Sequence, residues 1–127
     1  MTTNAELKTI REYLAVPTEW LADRMGVTAQ TVWKYERTNR QRPIPEHATE
    51  VLTELLADRS LALARALDTY TDPDGRLVLP RFADGDGWRA AFPEFAGWPD
   101  SAQGPFLGEL MTQANGRVEF RVVPAAE

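Results

Sequence analysis

Within the stretch GVTAQTVWKYERTNRQR, Gly26 to Arg42, polar and cationic side chains recur at spacings that suit contact with a nucleic acid. Gln30, Trp33 and Lys34 lie one helical turn apart if the segment is helical. A glutamine can pair with adenine through two hydrogen bonds, and a lysine can reach the acceptors of guanine. The methyl groups of Ala29 or Thr31 can meet the methyl of thymine. Trp33 either stacks on a sugar or a thymine methyl, or folds back on the protein surface. Thr18, Thr28, Arg37, Asn39, Arg40 and Arg42 carry donors suited to phosphate oxygens, which would set register rather than read sequence.

Other residues offer less chemistry. The chain has no cysteine, so disulfides and thiolate metal sites are excluded, and the single histidine, His47, cannot build a zinc site alone. Ser60 and Ser101 have no base near them in sequence, and no phosphate-cradling glycine pattern is present. DPDG and DGDG invite a calcium reading. Aligning Gly75 with the sixth position of a calcium loop, however, puts Tyr70 at the first and Arg81 at the twelfth, where oxygen ligands are needed. Both are read as turns. The expectation is a protein that is not an enzyme and takes no metal and no cofactor. No apolar run approaches the ~18 residues that span a bilayer, and MTTNAELK lacks the regions of a signal peptide. A cytoplasmic protein with no membrane partner is expected.

A formal charge of -5 would by itself repel a polyanionic partner. The charge is unevenly spread. Residues 24–42 hold Arg24, Lys34, Arg37, Arg40 and Arg42 against Glu36 alone, a net +4, whereas residues 43–127 are net -7. Fields decay over about 8 Å at physiological salt, so a cationic edge acts locally. The acidic remainder should reduce non-specific binding.

The elements that must position these residues are legible from spacing. Thr3 or Asn4 can cap a first helix with Leu7, Ile10 and Leu14 on one face. The proline of AVP ends it. TEWLADRM predicts a short second helix closed by Gly26, and Thr28 caps a third, AQTVWKYERTN, with Val32 and Tyr35 inward. Pro45 opens a fourth helical stretch to about Tyr70, either one long helix or two broken near Arg59 and Ser60. TDPDGR marks a boundary, giving domains 1–70 and 71–127. Beyond it, RLVLP and RVEFRVV predict two short strands. DGDGWRAAF predicts a short helix, and a last one runs from about Pro105 to Asn115-Gly116. The fold class is mainly α: an N-terminal helix-turn-helix bundle of four to five helices, then a small α/β unit with two short strands.

A short helix, a Gly-Val-Thr turn and a second helix form the arrangement that lets a recognition helix reach base edges. With Leu21-Ala22, Gly26-Val27, Val32 and Tyr35-Glu36, residues 4–58 resemble the helix-turn-helix of the phage-repressor-like (Xre/Cro) family. The chain differs at ERTNR, where family members carry glycine after the glutamate. The resemblance implies an ion pair between an arginine of the first helix and the glutamate ending the recognition helix, here Arg11 and Glu36.

In the C-terminal part, Trp88, Phe92, Phe95, Trp98 and Phe106 crowd one stretch, and Val118, Phe120 and Val122 alternate along RVEFRVV. Such residues build cores and interfaces alike; a mixture is expected, with a small core and a dimer interface completed by the strand. With both halves in view, the chain is similar to the anti-CRISPR-associated (Aca) regulators. That likeness implies a homodimeric, sequence-specific repressor in which each recognition helix reads half of an inverted repeat in double-stranded DNA, autoregulating an anti-CRISPR operon. It also implies possible RNA binding, since some members bind the transcript. Gln30 replaces a basic residue of the family, so the operator does not transfer. The rival reading is an antitoxin or adaptor whose C-terminal unit holds another protein.

Overall fold

The computed structural model describes residues 2–37, 42–115 and 117–125. They are mainly helical, with a two-stranded sheet toward the C-terminus. The first helix, α1, spans Asn4–Leu14. Thr3 caps it, its hydroxyl accepting from the Glu6 N–H. Asn4 has another task. It is buried, its Oδ1 accepts from the Arg42 N–H at 2.9 Å, and its own N–H donates to the Arg42 carbonyl. Thr3 and Pro43 form an antiparallel bridge beside it.

Helix α2, Thr18–Met25, ends at Gly26, whose φ of 71° lets the cap N–H reach the Ala22 and Asp23 carbonyls. A side chain there would meet no neighbour, so conformation rather than space demands glycine. Helix α3, Ala29–Glu36, follows, with Thr28 as its cap. Leu7, Leu14, Leu21, Ala22 and Val32 are buried from these three helices.

Helix α4 is one unbroken element, Glu46–Tyr70. At the suspected break Arg59 is buried and pairs with Glu109 at 2.9 Å, so its charge is compensated and the helix continues. The chain forms two compact units, Met1–Ala57 and Asp58–Glu127, so the division between them falls within the α4 residue range. The second half of α4 is needed by the C-terminal unit. Arg65 bonds Glu94 at 2.7 Å, and Tyr70 lies 5.9 Å from the Phe92 ring. Two strands and short helices bury too little by themselves.

In that unit β1, Leu77–Phe82, pairs in parallel with β2, Val118–Val123, Leu77 opposite Val118 and Leu79 opposite Phe120. Parallel neighbours need a crossover. It is made of α5, Gly85–Ala91, two single 3-10 turns at Pro93–Phe95 and Asp100–Ala102, and α6, Gln103–Gln113. Its rings form the core. Phe95 sits 4.5 Å from Trp88, 4.8 Å from Phe106 and 4.9 Å from Trp98, centroid to centroid.

This corrects the expected interface. Trp88, Phe92, Phe95 and Phe106 are fully buried within one chain and Trp98 is nearly so, which leaves no ring surface for a second subunit. They cluster because Trp88 stacks on Phe95 while Phe92, Phe95, Trp98 and Phe106 meet edge to face, which fills a small core from within one chain. The expected half-buried β2 is also more open than its alternation implied. Val118 is intermediate, while Phe120 and Val122 are 41% and 74% exposed. Among the described residues, no helix is long and apolar enough to cross a membrane.

Candidate nucleic-acid interface

The N-terminal unit presents one face of α3 to solvent. Gln30, Trp33 and Lys34 follow the i, i+3, i+4 spacing of a single stripe, Arg37 follows as the residue that caps the helix, and all four are exposed. Val32, at the opposite side, is fully buried. The Thr28 hydroxyl accepts from the Thr31 N–H at 3.2 Å and lies 2.9 Å from the Thr31 hydroxyl. The first turn of α3 is thereby closed, and Ala29 and Thr31 are half-buried beside it.

Behind the stripe, Arg11 of α1 grips Glu36. Its Nε donates to both carboxylate oxygens, at 3.2 and 3.1 Å, and a terminal nitrogen donates to Oε1 at 2.9 Å. The Glu36 side chain is 7% exposed and that of Arg11 21%. The bond to Glu36 raises the Arg11 guanidinium above its ordinary value, against the opposing effect of burial. A two-pronged bond of this kind fixes rotation as well as distance, so it sets which face of α3 looks outward.

Thr18 is half-buried at the start of α2, and Thr28, Arg37 and Arg42 are exposed. Asn39 and Arg40 lie outside the described residues. The Arg42 backbone is tethered to Asn4, as described, so its side chain leaves a fixed point. Two features were missed from sequence. Lys8 of α1 joins Arg11, Trp33, Glu36 and Arg37 around a shallow pocket, and the one-turn spacing of Lys8 and Arg11 was the available signal. Arg24 lies over the Trp20 ring at 4.9 Å, an i, i+4 pair at the end of α2. Trp33 is 44% exposed and lines that shallow pocket.

The acidic turns have local employment. Asp72 Oδ1 accepts from the Asp74 and Arg76 N–H groups, at 3.0 and 2.8 Å, and Asp84 Oδ1 accepts from Gly87 at the start of α5. These carboxylates close turns, the role such residues take in tight loops. The stripe on α3 sets outward donors on a helix whose opposite face is anchored by Val32. No protein-family model and no curated protein matches the chain.

Proposed function

We propose that the chain is a sequence-specific DNA-binding repressor that acts as a homodimer on an inverted repeat. In this reading α2 and α3 form a helix-turn-helix, and α3 enters the major groove. Gln30 and Lys34 read base edges, Trp33 lies against a sugar or a thymine methyl, and Ala29 and Thr31 offer methyl contacts. Thr18, Thr28, Arg37, Asn39, Arg40 and Arg42 hold phosphates. The observation that carries the reading is the outward stripe Gln30, Trp33 and Lys34, with Arg37 at the cap, on a helix held from behind by Val32 and the Arg11–Glu36 pair. Regulation of an anti-CRISPR operon is proposed on the sequence resemblance alone. The antitoxin or adaptor reading called for an exposed aromatic patch in the C-terminal unit, and the five rings are interior.

Selection of bound fragments from a random DNA pool tests this. One enriched inverted repeat is expected. Lys34→Ala and Gln30→Ala should each weaken binding to it by about 10- to 100-fold, the worth of a good base contact, with little change in melting temperature. Unchanged binding in both variants refutes the assignment. Preference for an RNA hairpin over the selected duplex would move the function to the transcript.

A further inference from the structure

A two-stranded sheet has two edges, and here they differ. The outer edge of β1 is closed by the chain itself. Thr71 bridges Leu77 at its start, Pro80 has no N–H at its middle, and at its end the Phe82 N–H donates to Gln103 Oε1 at 2.9 Å. The Gln103 Nε2 returns a bond to the Phe82 carbonyl at 3.3 Å. Nothing comparable covers β2 among the described residues. The Leu77 N–H donates to the Arg117 carbonyl, and the Ala83 N–H to that of Val123. Odd-numbered residues of β2 therefore aim their peptide groups at β1. By alternation, Val118, Phe120 and Val122 aim theirs outward. An exposed row of unpaired donors and acceptors is a template for another strand.

The sequence of that edge is complementary to itself. Consider β2 of a second copy lying antiparallel, with Phe120 opposite Phe120 on the two-fold axis. Val118 then faces Val122 of the second copy, and Glu119 faces its Arg121. All three outward-facing residues fall in hydrogen-bonded pairs, and the opposite charges fall in the closer, non-bonded pairs. A shift of the centre by one residue toward the start puts Glu119 opposite Glu119, and one toward the end puts Arg121 opposite Arg121. Like charges directly opposite destabilise. On the Phe120 face, the exposed Met111 of α6 and, beneath it, the buried Leu107 line a shallow groove with Phe120, so the apolar stripe continues beyond the strand.

We propose that β2 pairs with β2 of a second copy in this register, forming a continuous four-stranded sheet β1-β2-β2-β1. The pairing is isologous and closes at two chains. It gives the dimer of the preceding section its interface and rests on that reading.

Charges on an edge strand also serve to keep edges unpaired, so the order of the charges is the test. Sedimentation of the full chain without DNA should show a dimer. Glu119→Arg should weaken it about tenfold or more, because two pairs turn repulsive. Glu119→Arg combined with Arg121→Glu should restore it, with melting temperature recorded so that unfolding is not mistaken for dissociation. The absence of native cysteine gives a second readout. Phe120→Cys should cross-link under oxidation, because paired Cα atoms lie about 5.5 Å apart. Val118→Cys should not, because its two copies would be about 14 Å apart along the strands. A monomer at all concentrations, a double variant no better than the single, or equal cross-linking at both positions overturns the proposal. A monomer that still selects one DNA sequence would overturn the sheet and leave the recognition helix standing. A cross-linked dimer that selects no DNA would do the reverse.

Discussion

Glu36 closes α3 with a carboxylate that is almost wholly covered, and a covered carboxylate must find hydrogen-bond donors. Arg11 supplies three contacts within 3.2 Å. Arg11 is more open, so the pair falls between a surface ion pair, worth under about 1 kcal/mol, and a fully buried one, whose disruption costs about 3–5 kcal/mol. Glu36→Ala or Arg11→Ala should cost about 1.5–3 kcal/mol in urea unfolding, the range for hydrogen bonds to charged groups. The exchange Arg11→Glu with Glu36→Arg should retain more stability than either alanine. Equal losses in all three would show that the pair has no role of its own. If α3 reads DNA, the alanine variants should also lose discrimination between sequences, since an unanchored helix presents its stripe at more than one angle.

At the scale of elements, the chain relies on local caps. Gly26 and Thr28 end α2 and begin α3 within three residues, so the two helices follow one another with almost no intervening chain. The link from α4 to β1 relies on Asp72 in the same way. Bonds from the Arg76 and Asp74 backbones, the former the larger cause, hold the Asp72 carboxyl below its ordinary value. A carboxylate depressed in the folded state adds stability that is fully present above the unfolded value of about 3.9. That contribution is lost as pH falls through the depressed value. Titration followed by NMR should therefore show the Asp74 and Arg76 amide signals moving together only in acid, below pH 4. In Asp72→Asn this acid transition should vanish. A midpoint at or above pH 4 would mean that the turn does not depend on the charge.

Over the whole molecule, the net charge of -5 conceals a cationic segment, residues 24–42, that is net +4. Counterion release makes affinity for a duplex fall linearly with salt on logarithmic axes, with a slope of about -0.9 per neutralised phosphate. Arg42, exposed beside its tether to Asn4, is assigned a phosphate in the proposed complex. Arg42→Ala should weaken all DNA sequences alike and make the slope shallower by about one between 50 and 200 mM salt. A change confined to one sequence would instead give Arg42 a base contact.

What the amino-acid order determined by itself was local. The helices, their caps at Thr3 and Thr28, the glycine at position 26 and both strands follow from spacing and from turn residues. Each depends on neighbours a few positions away. The outward stripe of α3 was legible for the same reason. The tertiary structure alone decided matters that join distant residues. It placed Asn4 on the backbone of Arg42 rather than at a cap, and gave the second half of α4 to the C-terminal unit. It turned five clustered rings inward, although their number was as consistent with an interface as with a core. It also left β2 open while closing β1, because Gln103, twenty-one residues on from Phe82 in sequence, bonds both backbone groups of that residue. Periodicity specifies that a residue lies on an apolar face. Which surface covers that face depends on contacts between segments that the spacing of residues does not encode.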